Sequence, residues 1–134
     1  MLLASPAIAW EFTPTPICTL THIAQEVEVV VTYDPALPEY TITLTTPDPW
    51  PDAPQFGLAF IGPRALSIGT DRHVLSDDRR SLSVTDTGFG NVLDGLQFNT
   101  AVTGASGAAS VTFDLTDAAS AVAAFRECPA VVTS

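Results

Sequence analysis

Turn chemistry interrupts this chain every few residues, and between the turns apolar and polar residues alternate in short runs. Period two marks a half-buried strand, because successive side chains leave a strand on opposite faces. The runs are rich in valine, isoleucine and threonine, and they predict strands over Ile17–His22, Val27–Tyr33, Tyr40–Thr46, Gly57–Ile61 and Ala65–Thr70. Further strands are expected near His73–Leu75, Ser81–Thr85, Gln97–Val102 and Ser110–Leu115. Asp34-Pro35, Gly62-Pro63, Ser76-Asp77-Asp78 and Gly104-Ala105-Ser106-Gly107 supply the breaks, each from residues that favour turns. Many short strands at hairpin spacing argue against βαβ units. They predict a mostly β chain, an antiparallel β-sandwich or a barrel-like sheet, with one C-terminal α-helix.

That helix is predicted from Ala118, Ala121, Val122 and Phe125, which recur at i, i+3, i+4 and i+7 and make one apolar face. Thr116 or Asp117 is its expected N-cap, and Pro129 its stop just after Cys128. A single helical turn is expected at Asn91–Leu96, cut short by Gly95. The stretch from Pro47 to Pro54 holds four prolines in eight residues. It is unfit for a central strand, and it reads as a semi-rigid loop that presents or buries Trp50.

With 134 residues, 46% of them hydrophobic and 15% charged, the chain suits one globular domain, expected over 10–134. Fifteen acids face five bases for a net charge of −10, and every base is an arginine. Without lysine there is no P-loop lysine and no Schiff base. An acidic surface also disfavours nucleic acid, whose binding rests on clustered cations, and steers instead toward cationic partners. No stretch has the length needed to cross a bilayer, so membrane insertion is not expected. Met1–Ala9 is apolar and ends in Ala7-Ile8-Ala9, which fits small-x-small cleavage, so it reads as the truncated tail of a signal peptide. Cys18 and Cys128 then predict one disulfide in an exported, periplasmic or secreted protein. Closing a loop of about 100 residues stabilises by roughly 4–5 kcal/mol in the chain-entropy model.

Three sets of residues are candidates for chemistry. Asp71, His73, Asp77, Asp78 and Asp86 could supply an acid–base pair or a divalent-metal site, although their spacing fits no metal motif and also suits a hairpin turn. Thr85-Asp86-Thr87-Gly88-Phe89-Gly90-Asn91 lets a ligand approach the backbone at two glycines, with Asp86, Phe89 or Asn91 in contact. It contains the Asp-Thr-Gly of an aspartic protease, a reaction that needs a second carboxylate. It reads more simply as a Gly-rich turn leading into a helical turn capped by Asn91. Trp50 and Trp10, with Phe12 and Phe56, are either anchors for a partner or the plug of a core. There is no G-x-S-x-G elbow, and no cofactor or metal is called for.

Trp10–Cys18, Asp71-Arg72-His73, Gly88–Leu93 and Ala124–Pro129 together resemble a group of short secreted α-proteobacterial proteins that carry no known activity. More distantly, the order of helical turn, two strands, Phe113-Asp114-Leu115 and alanine-rich helix resembles the C-terminal part of invasion-associated locus B-type periplasmic proteins. That likeness implies a secreted β-sandwich linked to the cell envelope. The leading expectation is an exported, non-enzymatic binding protein that contacts its partner through Trp50, Asp86, Phe89, Asn91, Asp71 or His73. The partner would be a cationic protein or an envelope component. Alternatives are an inhibitor of a cationic hydrolase such as a lysozyme, or a small metal-dependent hydrolase built on His73 with Asp71 or Asp86.

Overall fold

The computed structural model describes residues 10–24 and 26–128; the signal-like Met1–Ala9 and the expected helix stop at Pro129 lie outside them. Among the described residues ten strands form two antiparallel sheets, a sandwich and not a closed barrel. Sheet A holds β1 (Glu11–Thr13), β2 (Cys18–Ile23), β3 (Glu28–Asp34) and β4 (Glu39–Thr45), then β8 (Ser81–Asp86) and β7 (Val74–Leu75), in the order β1-β2-β3-β4-β8-β7. Sheet B holds β10 (Ala109–Asp114), β9 (Ala101–Ser106), β5 (Phe56–Ile61) and β6 (Leu66–Thr70), in that order. Two helices accompany them, α1 (Gly90–Phe98) and α2 (Ala118–Arg126).

The alternation in the sequence becomes two faces. Leu20, Val29, Val31, Ile42, Leu44 and Leu82 of sheet A are buried against Phe56, Leu58, Phe60, Val102 and Phe113 of sheet B. Threonine and serine point outward and pair across strands, Thr41 with Thr85 at 2.9 Å, Thr43 with Ser83 at 2.9 Å and Thr45 with Ser81 at 2.8 Å. The sheets come so close at β9 that a Cβ on Gly104 would lie 2.9 Å from Leu44 Cδ1. That contact overturns the expected Gly104–Gly107 turn. Gly104 is needed inside the strand, and the chain reverses at Gly107 and Ala108.

Helix α2 buries Ala118, Val122 and Phe125 on the predicted face and packs against β1, β2 and α1. Phe125 meets Phe12 edge-on at 6.3 Å and Tyr40 at 6.1 Å, and its burial contributes about 2–3 kcal/mol. The Cys18–Cys128 disulfide spans 110 positions and ties the end of this helix to the first residue of β2. The helix starts after one of the two expected residues but is capped differently. Asp117 occupies the N-cap in a left-handed conformation (φ 64°) without a side-chain cap. The carboxylate of Asp114 accepts the Thr116 amide and hydroxyl instead.

Helix α1 corrects three further expectations. It runs on through Phe98, so the strand placed at Gln97–Val102 begins only at Ala101. Gly95 does not cut it short, because a Cβ there would sit 2.6 Å from the Phe60 ring, and the bare backbone lets the helix lie on sheet B. Phe89, not Asn91, occupies its N-cap position. The three-residue strand β1, which the periodicity was too short to reveal, pairs with β2 and extends sheet A.

Candidate functional site

The two lateral sides of the sandwich are closed differently. On one side Trp10 fills the gap between β2 and β10. It stacks on His22 at 4.6 Å, approaches Phe113 at 6.2 Å and donates its Nε1–H to the Asp114 carbonyl at 3.2 Å. On the other side β7 covers only Ser83 and Leu82 of β8, so among the described residues Val84, Thr85 and Asp86 have no strand partner on their outer edge. Facing them is β6, which among the described residues pairs with β5 alone.

Between these edges opens a groove of about 460 Å³. Ile42, Phe56 and Leu58 form its buried floor, Ile68 and Val84 its half-buried walls, and the turn from Gly88 into α1 its end. Asp86, Phe89 and Asn91 all line it, so the fold brings together three of the residues singled out in the sequence. Their roles differ. Phe89 is a core residue, 4% exposed and stacked on Tyr40 at 5.5 Å. Burial, and then the neighbouring Tyr33, push the Tyr40 phenol above its ordinary pKa. Asn91 is exposed at the end of the groove. Asp86 points to the inner side by its register with Tyr40. One of its oxygens binds Arg72 Nη2 at 2.9 Å and the other accepts the Thr87 amide at 2.7 Å.

Arg72, quoted in the sequence but not placed in the site, therefore stands at the mouth of the groove. It lies on the Asp71-Arg72-His73 link that carries the chain from the edge of sheet B to the edge of sheet A. Its two neighbours open elsewhere. Asp71 and His73 line a separate depression of about 470 Å³ with Asp52 and Asp77. His73 Nε2 is 3.0 Å from the Ala53 carbonyl; a carbonyl only accepts, so Nε2 donates, and the buried Nδ1 has no hydrogen-bond partner among the described residues. Asp77 and Asp78 occupy the predicted hairpin turn. The Ser76 hydroxyl and then the Arg80 amide hold the Asp78 carboxyl below its ordinary pKa.

Trp50 belongs to a third place. It is 2% exposed, meets Phe56 edge-on at 6.1 Å and donates to the Leu44 carbonyl at 3.3 Å. The proline loop buries it, and the 350 Å³ depression above is lined by Pro47, Asp48, Pro49 and Ala109 as well.

Asp86 faces an arginine and not the second carboxylate that Asp-Thr-Gly chemistry needs, and His73 opens into a different depression. Among the described residues no group of three or more His, Cys, Asp or Glu is placed to hold a metal ion. None of their helices is long and apolar enough to cross a membrane. Sequence reasoning missed the groove walls, Ile68 and Val84; the signal was the shortness of the run at Val74–Leu75, which leaves its neighbour uncovered. Set against family models, curated proteins and solved structures, the chain finds no match in any of the three.

Proposed function

We propose that this is an exported, non-enzymatic binding protein, periplasmic or secreted, whose ligand lies in the groove between β6 and β8. A disulfide joining the two ends of the domain supports an oxidising compartment, as do the signal-like start and the resemblance to secreted and periplasmic groups. The net charge of −10 supports a cationic partner and raises the encounter rate with one.

The observation that carries the reading is the groove itself. Its floor is apolar core, its rim carries Asp86, Arg72 and Asn91, and its volume of about 460 Å³ falls in the range of ligand sites. A few polar groups around an apolar floor fix orientation while burial supplies affinity.

The test is a ligand screen read by amide chemical shifts on the disulfide-bonded chain. Perturbations should centre on Ile68, Val84, Gly88 and Asn91, and Ile68→Asp should abolish them while the protein stays folded by circular dichroism. Shifts that map to the Asp71–His73 depression or the proline loop would move the site and sink this reading.

A further inference from the structure

The eight glycines of the chain differ in what a side chain would meet. Gly62 and Gly107 have φ of +150° and +59°, and Gly95 and Gly104 have no room for a Cβ. Gly57 rests in ordinary contact with the Ile68 carbonyl. Gly69, Gly88 and Gly90 have neither reason: a Cβ would meet nothing within 4 Å, and their φ is outside the left-handed region. All three line the groove. Glycine inside a strand costs about 0.5–1 kcal/mol relative to alanine, so at Gly69 in β6 the fold would do better with a side chain, and Gly90, the first residue of α1, has room for one. A bare backbone beside open space is what a second backbone needs in order to lie close.

The strand next to this space is equally bare. β6 pairs with β5 in unbroken register from Leu66 to Thr70 and among the described residues has no second strand partner, although α1 also touches it. Edge strands are usually protected by lysine, proline or a bulge; Leu66-Ser67-Ile68-Gly69-Thr70 has none of these. Charge decides what kind of chain fits. Asp86 opens on the groove, and the chain around it carries a net charge of −10. Against this stands Arg72, whose pair with Asp86 is exposed on both sides, 68% and 41%, and is cheap to exchange.

Resting on the groove as the ligand site, we infer that its occupant is an extended, cationic segment of another polypeptide, added to sheet B as a strand beside β6. Its alternate apolar side chains enter the groove over Ile42 and Val84, its backbone takes the free edge of β6, and an arginine or lysine replaces Arg72 on Asp86.

The test uses the full disulfide-bonded chain and a capped synthetic peptide of about seven residues alternating arginine and valine. Binding by titration calorimetry at low salt should come with slowed hydrogen exchange at the β6 amides whose N–H points outward. The same peptide with alternate N-methyl groups, which keeps the side chains and loses the donors, should bind about tenfold more weakly or worse. Gly69→Val and Gly90→Ala should leave the unfolding midpoint unchanged or raised and still weaken the peptide about tenfold, and Asp86→Asn should reduce the salt dependence. Equal binding of the N-methylated peptide, undiminished binding to Gly69→Val, or exchange unchanged at β6 would each overturn the inference. An apolar fluorescent dye separates the two levels: dye bound in the groove without peptide removes strand addition alone, while neither bound removes the groove reading too. Protection of β6 that rises with protein concentration without peptide would make the occupant a second copy of this chain and overturn the inference as well.

Discussion

The two sides of the sandwich face the same problem and solve it differently. Both must close the gap between the edges of two twisted sheets. On the Trp10 side the gap is filled by stacked aromatics, with a covalent link and a packed helix alongside. On the β6–β8 side one strand stops after two residues, the rim is glycine and the wall residues stay half-buried. A domain of this size is only marginally stable, so leaving apolar surface such as Ile68 and Val84 partly wet sacrifices burial that a longer β7 would have supplied. The filled side holds the fold together and the open side is free to meet something else.

The contrast can be broken most sharply by truncation. Phe125→Ala on the filled side should cost about 3–5 kcal/mol. Ile68→Ala on the open side should cost less than half as much, since its side chain is only half-buried. Equal losses in urea unfolding would mean that the open side is as structural as the other. Next in size, Cys18→Ala with Cys128→Ala should remove about 2–5 kcal/mol and leave amide shifts around the groove unchanged; loss of the groove signals would tie the two sides together.

Gly95→Ala gives a smaller but more pointed result. By helix propensity it should stabilise, yet the Cβ would lie 2.6 Å from Phe60, so a loss of about 1–3 kcal/mol is expected. At Gly90, where nothing lies within 4 Å, the same substitution should be neutral or stabilising. Opposite signs at two glycines of one helix would show that one serves packing and the other serves the groove. Thermal unfolding of Arg72→Ala should fall within about 1 kcal/mol of the parent, because both partners of the ion pair are exposed.

The smallest effect concerns pH. Hydrogen bonds from the Thr116 side chain and then its amide hold the Asp114 carboxyl below its ordinary pKa of 3.8. A carboxyl lowered in the folded state adds stability that is complete above the ordinary value and is lost as pH falls through the depressed one. Asp114→Asn should therefore lower the melting temperature slightly at pH 6 and leave it unchanged near pH 2; a difference that persists at pH 2 would assign the effect to geometry.

Period two, turn residues and cysteine count make the sandwich class, the C-terminal helix and the disulfide legible in the order of residues alone, because these depend on neighbours a few positions apart or on the chemistry of one residue type. Periodicity also marks the faces: Ala118, Val122 and Phe125 are buried as their spacing requires. The errors fall where a distant residue decides. Gly104 carries a turn signal locally and sits in a strand because Leu44 lies across from it. Gly95 reads as a helix breaker and is accommodated because Phe60 needs the space. The site is half legible for the same reason. Asp86, Phe89 and Asn91 lie within six residues and can be read as a unit, whereas Arg72, Ile68 and Val84 join them only through the pairing of sheets. The order of residues thus determined which segments are strands and which faces seek the core. The meeting of the sheets decided which edge closed and which stayed open, since that depends on contacts between residues far apart in sequence.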